Sequence, residues 1–119
     1  MEITSLDGPS CFLNVLGDTP MNRILDYFLG EIGYDLTLKE IAKNSGVGYA
    51  TVKRIWPRVM KSRVVTPTRK IGKAVLYAYD SSTQQGKALR NFYLEVLFKE
   101  AEEELTTSRV RLAPISTKR

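Results

Sequence analysis

Histidine is absent from this 119-residue chain, and Cys11 is its only cysteine. The first absence removes histidine acid–base chemistry, the Ser-His-Asp and Cys-His triads, and most catalytic zinc sites. The second rules out an intramolecular disulfide, a cysteine-rich zinc site and an iron–sulfur cluster. A reducing, cytoplasmic setting is consistent with it, and Cys11, beside apolar residues, reads as a small core residue. Long apolar runs are also missing. No uncharged stretch approaches the ~18 residues of a membrane span, and Met1-Glu2 does not begin the basic-then-apolar order of a signal peptide. Nothing resembles a glycine-rich phosphate loop, a nucleophile elbow or a carboxylate pair at metal spacing. These absences favour binding over catalysis and imply neither metal nor cofactor.

What is present is an ordinary globular composition, 43% hydrophobic and 26% charged, in a length that fits one domain with a modest core. The net charge of +5 is unevenly spread. Residues 1–35 carry one cation against six carboxylates, residues 36–79 ten cations against Glu40 alone, and residues 80–119 seven against six. A chain with one basic third is electrostatically one-sided, and such a surface attracts phosphate.

The pattern along the chain is mainly helical. Phe12, Leu13, Val15 and Leu16 form a short apolar cluster ending at Gly17. Asp18-Thr19-Pro20 places a capping side chain before a proline at the first helical position. Ile24, Leu25, Tyr27, Phe28 and Leu29 follow at helical spacing until Gly30 and Gly33, and Leu36 can pair briefly as a strand. Thr37-Leu38-Lys39-Glu40 is a capping box opening a short helix to about Asn44. After the tight turn Ser45-Gly46-Val47-Gly48, a third helix runs from about Tyr49 to Lys61 with Val52, Ile55, Trp56 and Val59 inward. Pro57 removes a hydrogen bond from that helix and predicts a kink or a shortening. Val64-Val65-Thr66 and Ala74–Tyr79 read as strands, with Pro67–Lys73 as a basic hairpin tip. Ser81-Ser82-Thr83 caps a last helix ending near Leu105.

This order is that of a winged helix-turn-helix. The expected fold class is α+β, mainly α, with a two-stranded basic wing and a long C-terminal dimerisation helix. The expected segments are an arm over 1–17, the winged domain over 18–80, the helix over 81–105 and a flexible basic tail over 106–119. On the third helix the face opposite the apolar stripe is basic with one small residue. Helix-turn-helix docking brings the N-terminal end of that helix into the major groove. Arg54 and Lys53 have donors for guanine, and Ala50 is short enough to meet a thymine methyl. Tyr49 and Thr51 suit bases or phosphates. Arg58 and Lys61, with Lys39 and Lys43 of the second helix, suit the backbone. Arg69, Lys70 and Lys73 of the wing would lie along the flanking backbone or reach the minor groove.

Two strings and the helix-turn-helix between them resemble a known family. Leu16–Pro20 followed by Arg23–Leu29 is similar to the opening of archaeal winged-helix regulators of the broad MarR/ArsR type. Leu38–Ala42 through Val47, with Ala50–Arg54, resembles their helix-turn-helix, and Arg69–Tyr77 resembles their wing. The resemblance covers about residues 12–80 and implies sequence-preferring binding of double-stranded DNA as a homodimer that regulates transcription. Some relatives act instead in plasmid or viral partition or copy control. A winged-helix adaptor that binds an acidic protein is the alternative of a different class.

The last helix carries two apolar stripes. Leu89, Phe92, Tyr93 and Val96 suit the domain's own core. Leu94, Phe98, Ala101 and Leu105 lie nearly opposite at 4-3-4 spacing, the pattern of a coiled-coil seam. Two-fold pairing would bury this second stripe, and so would folding Phe12–Leu16 over it. Glu102, Glu103 and Glu104 read as a solvated face.

Overall fold

The computed structural model describes residues 10–110, with side chains through residue 99. Over these residues it is mainly helical, with five helices and a two-stranded antiparallel sheet. The order is α1 (Cys11–Leu16), α2 (Pro20–Gly30), α3 (Leu38–Ser45), α4 (Tyr49–Lys61), β1 (Val65–Ile71), β2 (Ala74–Tyr79) and α5 (Gln84–Val110). Among the described residues no helix is long and apolar enough to cross a membrane.

The helix starts follow their local chemistry. Thr19 caps α2, accepting from the Asn22 N–H, with Pro20 in the first turn. Thr37 and Glu40 form the reciprocal box at α3, and Gly46 ends that helix in the left-handed conformation at φ 74°. Gly48 begins α4 with no side-chain cap. Leu36 exchanges both backbone hydrogen bonds with Tyr77, so the sheet edge is extended by one bridge residue.

One core joins all these elements. Ile24 and Phe28 of α2, Ile41 of α3, and Val52 and Val59 of α4 are fully buried, with Val64, Val65, Leu76 and Tyr79 closing the sheet side. Burying a side chain of this size contributes about 1.5–3 kcal/mol. Trp56 packs edge-on against Tyr77 with ring centres 4.9 Å apart. Its indole N–H is buried without an acceptor among the described residues, so bulk is what that position uses.

Four features depart from the sequence reading. First, Pro57 does not shorten α4, which runs unbroken to Lys61. The ring sits on the exposed side, where water can satisfy the carbonyl it orphans. Second, the apolar cluster of the arm is a helix whose Phe12 is fully buried, edge-on to Phe92 at 6.2 Å and to Tyr93 at 5.6 Å. It therefore covers the first stripe of α5, while Val15 and Leu16 stay 58% and 43% exposed. Third, β1 continues through Ile71, so the turn is only Gly72-Lys73, with Gly72 at φ 62° in the left-handed region a tight hairpin needs. A bulge between Pro67 and Arg69 accommodates the proline. Fourth, α5 runs to Val110, five residues past the expected end. The remaining parts of the expected arm and tail, residues 1–9 and 111–119, lie outside the described residues.

The junction into α5 is tight. Thr83 Oγ1 accepts from the Gly86 N–H at 2.9 Å and donates to the Arg63 carbonyl at 2.7 Å. Arg63 itself is held at φ 65°, unusual for a side chain of this size. The Tyr79 hydroxyl donates to the Gly86 carbonyl at 2.6 Å, and burial pushes its pKa up to about 12, so it remains a donor throughout the neutral range.

Two predictions follow from this packing. A Cβ at Gly86 would lie 1.9 Å from the Asp80 carbonyl oxygen. Gly86→Ala, which gains about 1 kcal/mol in an open helix, is expected to cost about 1–3 kcal/mol here from overpacking. Urea denaturation reads the sign, and a stabilised variant would show the approach is not that close. Asp26 is half-buried, and desolvation raises its carboxyl above the ordinary 3.8, the Ser10 hydroxyl working the other way. Its charge therefore opposes folding above that raised value and no longer does so below 3.8, where both states are neutral. Asp26→Asn should be the more stable protein at pH 7, with the advantage shrinking as pH falls. An advantage that persists unchanged in acid would sink this assignment.

Candidate nucleic-acid interface

α4 turns Tyr49, Ala50, Lys53, Arg54, Pro57, Arg58 and Lys61 to the surface. It does so because Val52, Trp56 and Val59 are drawn inward at the opposite helical phase. Six of the seven residues assigned to DNA on this helix thus share its outer face. Thr51 is the seventh and departs: it is half-buried on the flank, lining a hollow of about 260 Å³ with Asp18, Arg23 and Gly48.

The second helix delivers its cations to the same place. Lys39 and Lys43 of α3 are both exposed. The Lys39 ammonium stands 5.9 Å from the Tyr49 ring centre, and that of Lys53 stands 5.1 Å from it. Each contact is weak at an exposed ring, about 0.5–1 kcal/mol, but together they bring lysines of α3 and α4 onto one aromatic platform. Lys39, Tyr49 and Lys73 also line a single cleft of about 400 Å³, whose apolar wall includes Leu38, Val75 and Tyr77. Lys70 is the register partner of Val75 and so lies on that face of the hairpin.

Arg69 does not join them. The sequence reading puts it with Lys70 and Lys73 at the hairpin tip, but the longer β1 places it within the strand, one residue out of phase with Lys70. There its Nε donates to Asp35 at 2.8 Å and its Nη2 at 3.3 Å, while Thr68 Oγ1 donates to the same carboxylate at 2.8 Å. The Arg69 and Thr68 bonds hold the Asp35 carboxyl below the ordinary range, and Asp35 in turn raises Arg69. Arg69 is thus a clasp between the hairpin and the α2–α3 loop.

A second clasp, which the sequence reading does not identify, is Arg23. It bonds Asp18 at 2.6 and 3.0 Å and reaches the Gly46 carbonyl at 3.4 Å, tying the start of α2 to the α3–α4 turn. Among the described residues the ion pairs are these two, Asp18–Arg23 and Asp35–Arg69. Lys39, Lys43, Lys53, Arg54, Arg58, Lys61, Lys70 and Lys73 form no ion pair with a carboxylate among the described residues.

On α5, Leu94 is half-buried and Phe98 is 64% exposed. The side chains of Ala101 and Leu105, the other two seam residues, lie outside the described residues. Among the described residues no group of three or more Asp, Glu, Cys or His is placed to hold a metal. Compared with protein-family models, curated proteins and solved structures, the chain matches none.

If Asp35 fixes the angle of the hairpin, Asp35→Asn should speed amide exchange at Lys70 and Val75 and leave α2 and α4 unchanged. Equal protection in the variant would mean that the Leu36–Tyr77 bridge holds the hairpin by itself.

Proposed function

We propose that this protein is a winged helix-turn-helix that binds double-stranded DNA as a homodimer and regulates transcription. The observation that carries the reading is the meeting of Lys39 and Lys53 on Tyr49 with Lys73 across the cleft, so that α3, α4 and the hairpin offer cations on one side. Free lysines and arginines converging from three elements match what a duplex backbone requires. The Leu36–Tyr77 bridge and the two-stranded hairpin supply the strand positions of a winged fold.

In this reading α3 and α4 are the helix-turn-helix pair and the N-terminal half of α4 enters the major groove. Arg54 is the residue suited to a bidentate bond with guanine, Lys53 to a second base edge, and Ala50 to a thymine methyl. Lys39, Lys43, Arg58 and Lys61 meet phosphates. Tyr49, an exposed phenol between two ammonium groups, has its hydroxyl free for a phosphate or a base. Lys70 and Lys73 follow the flanking backbone or enter the minor groove. Arg69, already held by a carboxylate, contributes shape rather than charge.

The test is anisotropy of labelled duplexes over a salt series, using a sequence selected from a random pool. Affinity should fall with salt by a slope of about −0.9 for each phosphate neutralised. Lys70→Ala should reduce that slope by about one per protomer and weaken all duplexes alike. Arg54→Ala should cost about 1–3 kcal/mol on the selected sequence and relax its preference. Arg69→Ala should leave the slope unchanged. Binding that ignores salt, or a pool that yields no preferred sequence, would refute the proposal.

A further inference from the structure

The cationic face leaves α5 unexplained. This helix has 27 residues, about 40 Å of rise, and among the described residues its contacts with the core come through Leu89 and Tyr93 and the Phe12 ring against Phe92 and Tyr93. Leu97 and Phe98 are then 42% and 64% exposed. In proteins most helical stability comes from the packing of an apolar face. Asn91, Leu94, Glu95 and Phe98 border a shallow hollow of about 550 Å³ together with Phe92. Those four stand at i, i+3, i+4 and i+7, the set of residues that forms a hole for one side-chain knob of a facing helix.

From this we infer that α5 pairs with α5 of a second copy as a short parallel coiled coil over residues 91–108. The inference rests on the homodimer reading above and adds its geometry. The seam assigns Asn91, Phe98 and Leu105 to a positions and Leu94, Ala101 and Ser108 to d positions. In the parallel arrangement the Leu94 knob of one copy enters the hole around Leu94 of the other. Asn91 meets its own counterpart, the placement in which one polar core residue sets register and a two-stranded state. The flanking charges agree. Position g of one heptad faces position e of the next in the partner, which opposes Arg90 to Glu95 and Glu104 to Arg109. The antiparallel arrangement that aligns the same seam brings Glu95 against Glu102. Arg90 and Glu95 are both exposed, and neither has an ion pair within its own chain among the described residues.

The experiment is done without DNA on the full chain. Sedimentation should give twice the 13.5 kDa chain mass, and Phe98→Glu should return it to the single mass with its helix content retained. Orientation is read in a Cys11→Ser background. Ser108→Cys should form a self-disulfide under mild oxidation, because parallel d positions face each other. In that antiparallel register residue 108 opposes residue 91, so that only Asn91→Cys mixed with Ser108→Cys would cross-link. Glu95→Gln should weaken association about threefold in the parallel pair, where the antiparallel pair would tighten. A monomer at 100 μM, cross-linking only of the mixed pair, or tighter association of Glu95→Gln each overturns the inference. A monomer that still binds duplex with a steep salt slope would leave the DNA-binding reading standing, and a parallel dimer that binds no duplex would do the reverse.

Discussion

Everything on the outer surface of α4 depends on the burial of Val52, Trp56 and Val59. These three fix the rotation of the helix about its axis, since a turn of one residue would carry Lys53 toward the core and lift Val52 into water. An unpaired buried ammonium costs several kcal/mol after relaxation, far more than any exposed contact could return. The core therefore determines that Ala50, Lys53, Arg54, Arg58 and Lys61 share one outward face. Ile41 and Phe28, both fully buried, hold α3 and α2 against that stripe. The spacing between Lys39 and Tyr49 is a consequence, because α3 and α4 cross where their apolar residues meet.

Carboxylates are used to sort the cations into two kinds. Asp18 and Asp35 each hold an arginine by two bonds, and those arginines brace a helix start and a hairpin. Exposed ion pairs of this sort add little stability, yet they fix geometry, since a guanidinium held at two atoms cannot swing. The lysines of α3, α4 and the turn have no such partners among the described residues and stand exposed. Under the proposed function this division separates structural arginines from phosphate-seeking lysines, and formal charge alone overstates the second group by counting Arg69 in it.

Local chemistry was legible in the sequence and distant chemistry was not. The capping box at Thr37, the proline after Thr19 and the phase of the α4 stripe all concern residues within a turn or two, and the helices start where those signals stand. Asp35 and Arg69 are separated by 34 residues, and nothing in either neighbourhood announces the pair. The length of β1 was hidden for another reason. Pro-Thr-Arg-Lys has no alternation of apolar and polar residues, so it resembles a loop until Gly72 closes a two-residue turn and pairing extends the strand back to it. Gly86 follows a capping signal that was visible, but its need for a missing Cβ comes from the Asp80 carbonyl folding over it. Phe12 shows the same limit: its apolar character was plain, and its place against Phe92 and Tyr93 required the fold.

The two unpartnered surfaces that result respond to solution conditions in different ways. Attraction between lysines and a polyanion is weakened by salt through the release of condensed counterions. An apolar seam is unaffected or strengthened, because its driving force is the removal of hydrocarbon from water. Joining two cationic faces through such a seam makes the second contact with a duplex intramolecular, and its effective concentration is set by the linkage rather than by the amount of protein. The proposed dimer would thus raise affinity most where each face alone is weakest, at higher salt. A separate helix suits this purpose better than a patch on the domain itself, since residues committed to pairing are then not those that must stay free for phosphate. In this chain the division is nearly complete: the cations of the cleft lie between residues 39 and 73, and the seam begins at residue 91.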